Sequence, residues 1–343
     1  MPMSMPARPP LHDRLRDWLR TGIDRLAGRP PEDELDDGVH LPLALLLAQR
    51  ERARALVLAQ RRASWQGLSG LYRSGFRGRG LDFDEMRDYQ PGDDIRHIDW
   101  SATARSGRAQ TRLYREERER PVLLAVDLRR AMHFGTRNAF KSVQAGKLAA
   151  LIAWAAVELG DRVGGLVFND AHYRLLRPQA GRAGVLALLN ALAELHDAPP
   201  EPGPQTPIGP ALVFRRLKGM ATAGSLVHLA SDFTGLDAAA RREFAELARR
   251  HDLSGSFVYD PLEVALPEAG RLPVSDGERF ATLDADHAAT RQAHQVAFAR
   301  HNHAVVQLFL EHRAYLLRLA THNQPEESLR RLLDLRRPGR TAA

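Results

Sequence analysis

The 343-residue sequence contains no cysteine, which excludes disulfides, thiolate metal sites, iron–sulfur clusters and cysteine nucleophiles. A reducing cytoplasm is the compartment this composition leads one to expect. Lysine is nearly absent: of 49 Lys and Arg residues, only Lys141, Lys147 and Lys218 are lysine. Long apolar runs are also missing. Leu41–Ala48 is too short to cross a bilayer and contains Pro42, and prolines and arginines break up the first twenty residues where an apolar signal core would lie. The expectation is a chain without a transmembrane segment and with peripheral membrane contact at most. What is present, 44% hydrophobic and 27% charged residues, supplies apolar material for one large domain or two modest ones.

The net charge of +7 is concentrated. Between Arg50 and Gly80 eight arginines stand against a single acid, Glu51. Such a segment suits nucleic acid, acidic lipid or an acidic protein, against the plainer reading of a solvated helix followed by a loop.

Residues 1–38 mix prolines and charges and read as poorly ordered, with Pro30–Glu34 as a linker. Leu43–Leu58 has helical spacing. The middle of the chain alternates short apolar runs with helical patterns, as a mostly parallel sheet covered on both faces would require. Strands are predicted at Pro121–Asp127, Val163–Phe168, Tyr173–Leu176, Ser225–Ser231 and Gly255–Tyr259. Helices are predicted at Phe140–Leu159, Ala183–Leu195, up to Leu217, and Ala238–Arg250. A hairpin over Pro273–Leu283 turns at Asp276-Gly277, and a last long helix runs from about Asp286 to Ala320.

Two constellations carry chemistry. Residues 77–100 hold seven carboxylates and four arginines. Arg87, Tyr89, Gly92, Asp93, Asp94, Arg96, Asp99, Trp100 and Arg105 read as an ion network in which arginine forks grip carboxylates. The competing reading makes Asp93, Asp94 and Asp99 a metal-dependent hydrolytic site, although no nucleophile or phosphate-cradling loop accompanies them. The second constellation is Asp127, Thr206 and Asp232. The two aspartates close predicted strands of an open sheet, where ligands gather at the strand ends. Plainer roles are a helix N-cap for Thr206 before Pro207 and a cap on the following helix for Asp232. His287, His294 and His301 share a helix face but are spaced too far apart to share one ion.

The second set resembles the metal-ion-dependent adhesion site of von Willebrand factor A-type domains, which uses an Asp-x-Ser-x-Ser motif, a threonine and a second aspartate around magnesium. Here the motif reads Asp127-Leu-Arg129-Arg-Ala131, so both serine ligand positions are lost. Arg129 is expected to stand where the metal would, pairing Asp127 and Asp232. No cofactor is expected, and the three positions are read as vestigial.

The run from Arg77 through Gly92-Asp93-Asp94 to Trp100 and Arg105 resembles the bacterial domain-of-unknown-function-58 family. Glu116–Asp127, Gly160–Gly164 and Asp260-Pro-Leu-Glu263 add to the likeness. It implies a von Willebrand A-like α/β core, together with association with MoxR-type AAA+ ATPases that act as chaperones in the assembly of client proteins.

The resulting expectation is a Rossmann-like, mostly parallel sheet flanked by helices. Four segments are assigned: a linker and basic helix (1–62), the signature segment (63–120), the core (121–263), and a hairpin, long helix and basic tail (264–343). The function expected is that of a non-enzymatic adaptor binding through Asp127, Arg129, Thr206 and Asp232. Hydrolysis and nucleic-acid binding through Arg50–Arg79 are the alternatives.

Overall fold

The computed structural model describes residues 35–67, 81–90, 98–116, 120–198, 208–268, 270–275 and 280–335. Helix α1 spans Leu43–Gly67. Leu45, Leu46, Ala53 and Val57 recur at helical spacing and are buried with Leu41 in the core, so the arginine-rich helix is a core layer and not a free extension. Arg50 lies 5.5 Å over the Trp154 ring and 4.0 Å from Glu158, and Arg52 pairs with Glu326. The fold thus uses two of the cations on which a nucleic-acid surface would draw. Arg73, Arg77 and Arg79 lie outside the described residues.

Strands β1 (Leu81–Asp88) and β2 (Gln110–Glu116) pair antiparallel, with the short α2 (Trp100–Ser106) between them. The central strand β3 (Pro121–Asp127) leads through a turn into α3 (Lys141–Glu158), β4 (Arg162–Phe168), β5 (Tyr173–Gln179) and α4 (Gly181–His196). Next come α5 (Pro210–Met220), β6 (Leu226–Ser231), α6 (Ala238–Ala248), β7 (Asp252–Tyr259) and the single turn α7 (Pro261–Val264). The hairpin β8 (Arg271–Ser275) and β9 (Phe280–Asp284) precedes α8 (Ala288–Glu311), β10 (Tyr315–Ala320) and α9 (Pro325–Leu335).

Six strands form the main sheet in the order β10-β7-β6-β3-β4-β5, all parallel except β5. Strands β3, β4 and β6 are near-continuous apolar runs because helices cover both faces. One face packs on α1, α3, α4 and α9. The other packs on α5, α6 and α8, through an aromatic cluster of Phe233, Phe244, Phe257 and Phe309. Gly255 in β7 permits this contact, since a Cβ there would lie 2.5 Å from the Phe309 ring. The chain leaves β3 for α3 on the first face and β6 for α6 on the second. The two connections therefore diverge and open a crevice at the carboxyl ends of β3 and β6.

The C-terminal reading needs correction. The long helix expected to reach Ala320 ends at Glu311, and Tyr315–Ala320 is instead an edge strand of the main sheet. The core sheet therefore extends beyond residue 263. The reversal is made by Arg313 in the left-handed region (φ 53) and by the Ala314 N–H donating to Phe309 O at 2.9 Å, without the glycine or proline that usually announces such a turn. The β8–β9 hairpin is present, and its Asp276-Gly277 turn lies outside the described residues. So do residues 1–34, including the expected linker.

Candidate functional site

The carboxyl ends of the parallel strands carry a row of acids: Asp170 two residues after β4, Asp127 closing β3, Asp232 after β6 and Asp260 after β7. Asp127 is fully buried. Its Oδ1 accepts from the Arg129 N–H at 3.0 Å and from Arg129 Nε at 2.9 Å, and its Oδ2 accepts from Arg129 Nη2 at 2.6 Å and from Ser231 Oγ at 2.6 Å. The guanidinium fork thus grips the carboxylate with two parallel bonds and reaches Thr234 O at 3.0 Å through the same Nη2. Burial would push the Arg129 guanidinium down, but its bonds and charge interaction with Asp127 outweigh this and raise it.

Arg129 does not hold Asp232 as well. The Asp232 Oδ2 accepts from Lys141 Nζ at 3.0 Å, and its Oδ1 accepts from the Thr234 N–H at 2.9 Å. Lys141, only 1% exposed, also donates to Glu263 Oε1 at 2.7 Å. This buried ammonium at the first position of α3 ties together the connections after β3, β6 and β7. Burial would raise the Asp232 carboxyl, yet Lys141, the Thr234 N–H and Arg129 together hold it below the ordinary carboxylate range. Lys141 is shifted upward by the same neighbours against its own burial.

Lys141 is the residue the sequence reading missed. Asp260 carried no assigned role either. It accepts from the Thr136 N–H (2.9 Å) and Oγ1 (2.5 Å), from the Leu262 N–H (2.8 Å) and from Thr321 Oγ1 (2.6 Å), and it forms a capping box with Glu263. Asp232 does not cap α6; Asp237 does, through the Ala240 N–H at 2.7 Å. The N-cap of α5 is Gly209, and Thr206 lies outside the described residues. A cleft beside Arg129 is walled by Phe168, Pro210, Val213, Phe214 and Phe233.

These residues do not fit a divalent cation. Both oxygens of Asp127 and both oxygens of Asp232 already accept hydrogen bonds from internal donors, and two internal cations supply the countercharge a metal would bring. Among the described residues no group of three or more His, Asp or Glu side chains is disposed to hold a metal ion. His301 instead places Nε2 2.7 Å from the Asp232 carbonyl oxygen.

In the signature segment, Asp99 Oδ1 caps α2 by accepting from the Ser101 and Ala102 N–H groups at 2.9 and 3.0 Å. Trp100 is 68% exposed, the Tyr89 N–H donates to Ala109 O, Arg105 Nε bonds Ser101 O at 3.2 Å, and Arg87 pairs in register with Thr111. Gly92, Asp93, Asp94 and Arg96 lie outside the described residues.

A mostly parallel, helix-flanked sheet with a crevice at the divergence of its central strands places the molecule among Rossmann-like α/β proteins. Residues 85–304 match the family described as Protein of unknown function DUF58, and the chain belongs to that family. It is 31% identical over 205 residues to an uncharacterized protein of Mycobacterium bovis and to two uncharacterized proteins of Mycobacterium tuberculosis. The alignment takes in 59% of this chain and spans 62% of the length of those relatives. Similar solved structures include a conserved hypothetical protein, BatB, from Bacteroides thetaiotaomicron (14% identity, TM-score 0.37, 63% of this chain and 98% of that one). Another is an aerotolerance-related membrane protein from Bacteroides fragilis carrying multiple mutations to serines (12% identity, TM-score 0.39, 63% and 97%). No described helix of the present chain is long and apolar enough to cross a membrane.

Proposed function

We propose that this chain is a non-enzymatic interaction protein with a von Willebrand A-like core. Its strand-end face around Asp127, Arg129 and Asp232 docks a MoxR-type AAA+ ATPase or that machine's client in the cytoplasm. The observation that carries this reading is the saturation of both carboxylates at the crevice by Arg129, Ser231, Lys141 and backbone donors. Acids held in this way are poor general bases and poor metal ligands, whereas an ordered crevice with an apolar cleft beside it suits recognition. The hydrolase reading draws no support from Asp99, which serves as a helix cap. The nucleic-acid reading loses Arg50 and Arg52 to internal contacts.

Affinity capture of the tagged full chain at two salt concentrations tests the proposal, with Asp127→Ala and Asp94→Ala run alongside. Retention of an AAA+ ATPase by the wild type and by Asp94→Ala, with loss in Asp127→Ala, is the expected result. Recovery of nucleic acid that high salt strips equally from all three proteins would replace docking with a basic surface as the functional site.

A further inference from the structure

The turn after β3 is held from behind by two histidines that the docking reading does not use. His133, in that turn, and His196, at the end of α4, stack with ring centroids 4.7 Å apart and planes 29° apart. His133 Nε2 lies 3.2 Å from Leu128 O, the carbonyl between Asp127 and Arg129. A carbonyl only accepts, so this nitrogen carries the proton. His196 Nδ1 donates to Asp197 Oδ1 at 3.1 Å, which leaves Nε2 to accept from Ser142 Oγ at 3.1 Å. With both rings neutral, every one of these bonds has one donor and one acceptor.

The charges facing the pair come from four directions. Asp127 of β3, Asp170 after β4 and Asp197 after α4 act on His133. His40, on the segment before α1, acts on His196 together with Asp197. Burial pushes both rings below the ordinary 6.5 despite those acids. His40 is raised by its bond to Asp37 and so becomes charged first as pH falls.

We propose that the His133–His196 stack is an acid-released latch on the strand-end face. Neutral, it pins the Leu128–Phe134 turn; doubly protonated, the two rings repel across the stack and the turn lets go. The step is proton uptake alone, one proton on His133 Nδ1 and one on His196 Nε2. The consequence for docking rests on the reading of this face given above.

The sign follows from the depressed values. The unfolded chain takes up these protons near pH 6.5 and the folded chain at lower pH, so the stabilisation is complete above 6.5 and is lost as pH falls below it. Loosening one turn admits the protons at less cost than unfolding the chain.

The test is hydrogen exchange of the full chain over residues 128–134, corrected for intrinsic pH dependence, at about pH 7.5 and about pH 5, on either side of the histidine range. Wild type is expected to exchange several-fold faster at the lower pH, as local opening of the turn becomes cheaper, while β3 and β6 stay protected. His196→Phe keeps a stacked ring without a proton site and should abolish the change. His196→Gln, which can still bond Ser142, does the same if the phenylalanine variant folds poorly. An unchanged turn in wild type, or equal acceleration in both variants, overturns the latch. If the turn loosens in wild type alone while the captured ATPase stays bound in acid, the latch stands and its consequence for docking falls.

Discussion

Asp127 and Asp232 sit at the ends of neighbouring strands, are both buried and are both neutralised by a protein cation, yet by opposite strategies. Asp127 takes its partner from two residues on, inside its own turn. Asp232 takes Lys141 from the start of a helix 91 residues earlier in the chain, and Glu263 shares that ammonium. The first arrangement is local and costs little chain entropy to assemble; the second forms only when three connections have converged. A local pair sets the shape of one turn, whereas a distant one reports that the whole edge has formed.

Removing the distant partner should therefore have the larger effect. Lys141→Met removes the shared cation and leaves Asp232 with the Thr234 N–H and Glu263 with the Asp260 N–H; it is expected to destabilise the chain by about 3–5 kcal/mol, read as a shift in the denaturant midpoint at unchanged slope. Adding Asp232→Asn should recover much of that loss, and strict additivity of the two changes would show that the pair is not coupled. Arg129→Met leaves Asp127 with Ser231 Oγ and the residue-129 N–H, so about 1.5–3 kcal/mol is expected, the range for hydrogen bonds to charged groups. A loss as large as that of Lys141→Met would erase the distinction between local and distant pairing.

Arg129→Ser combined with Ala131→Ser restores the serine pattern and should create magnesium affinity, with a further gain when Lys141→Met is added. At ten times the dissociation constant the ion would add about 1.4 kcal/mol of stability. Calorimetric titration showing no heat for either variant would mean that the guanidinium does not stand in a cation's place. The smallest effect belongs to the partly exposed Arg52–Glu326 pair. Arg52→Gln is expected to cost at most about 1 kcal/mol, and thermal melts of the variant and the Glu326→Gln double variant would expose any hidden importance.

Much of the sheet was legible because buried parallel strands are apolar runs: Pro121–Asp127 is predicted and observed with the same ends. Strand β10 was not. Tyr315–Ala320 mixes apolar residues with one arginine and fits a helical stripe as readily as an edge strand, and the break before it is carried by the backbone of Arg313, an arginine where such a turn usually has glycine. The Asp127–Arg129 pair was legible through the resemblance of Asp127-Leu-Arg129 to a metal-site motif with an arginine in a serine's place. Lys141 was not, since nothing local to Lys141-Ser-Val marks a lysine that points inward, and the acids that claim it are brought there by strand order alone. In the signature segment Asp99 also accepts from the backbone of the next helix, a role that the Asp-Trp-Ser spacing of an N-cap allows.

Helix α1 and the elements made last share one apolar layer: Leu45, Leu46 and Val57 are buried in the same cluster as Leu317, Leu319, Leu329 and Leu333. During synthesis at 5–20 residues per second, the chain from Tyr259 to Leu335 takes roughly 4–15 s to emerge. Until Ala320 has emerged β7 is an unpaired sheet edge, and until Leu335 has emerged the layer around α1 lacks part of its covering. The nascent chain thus waits, half closed, for its last strand and helix, and slower translation or truncation before residue 315 would lengthen the time in which that edge is open to pairing with another chain.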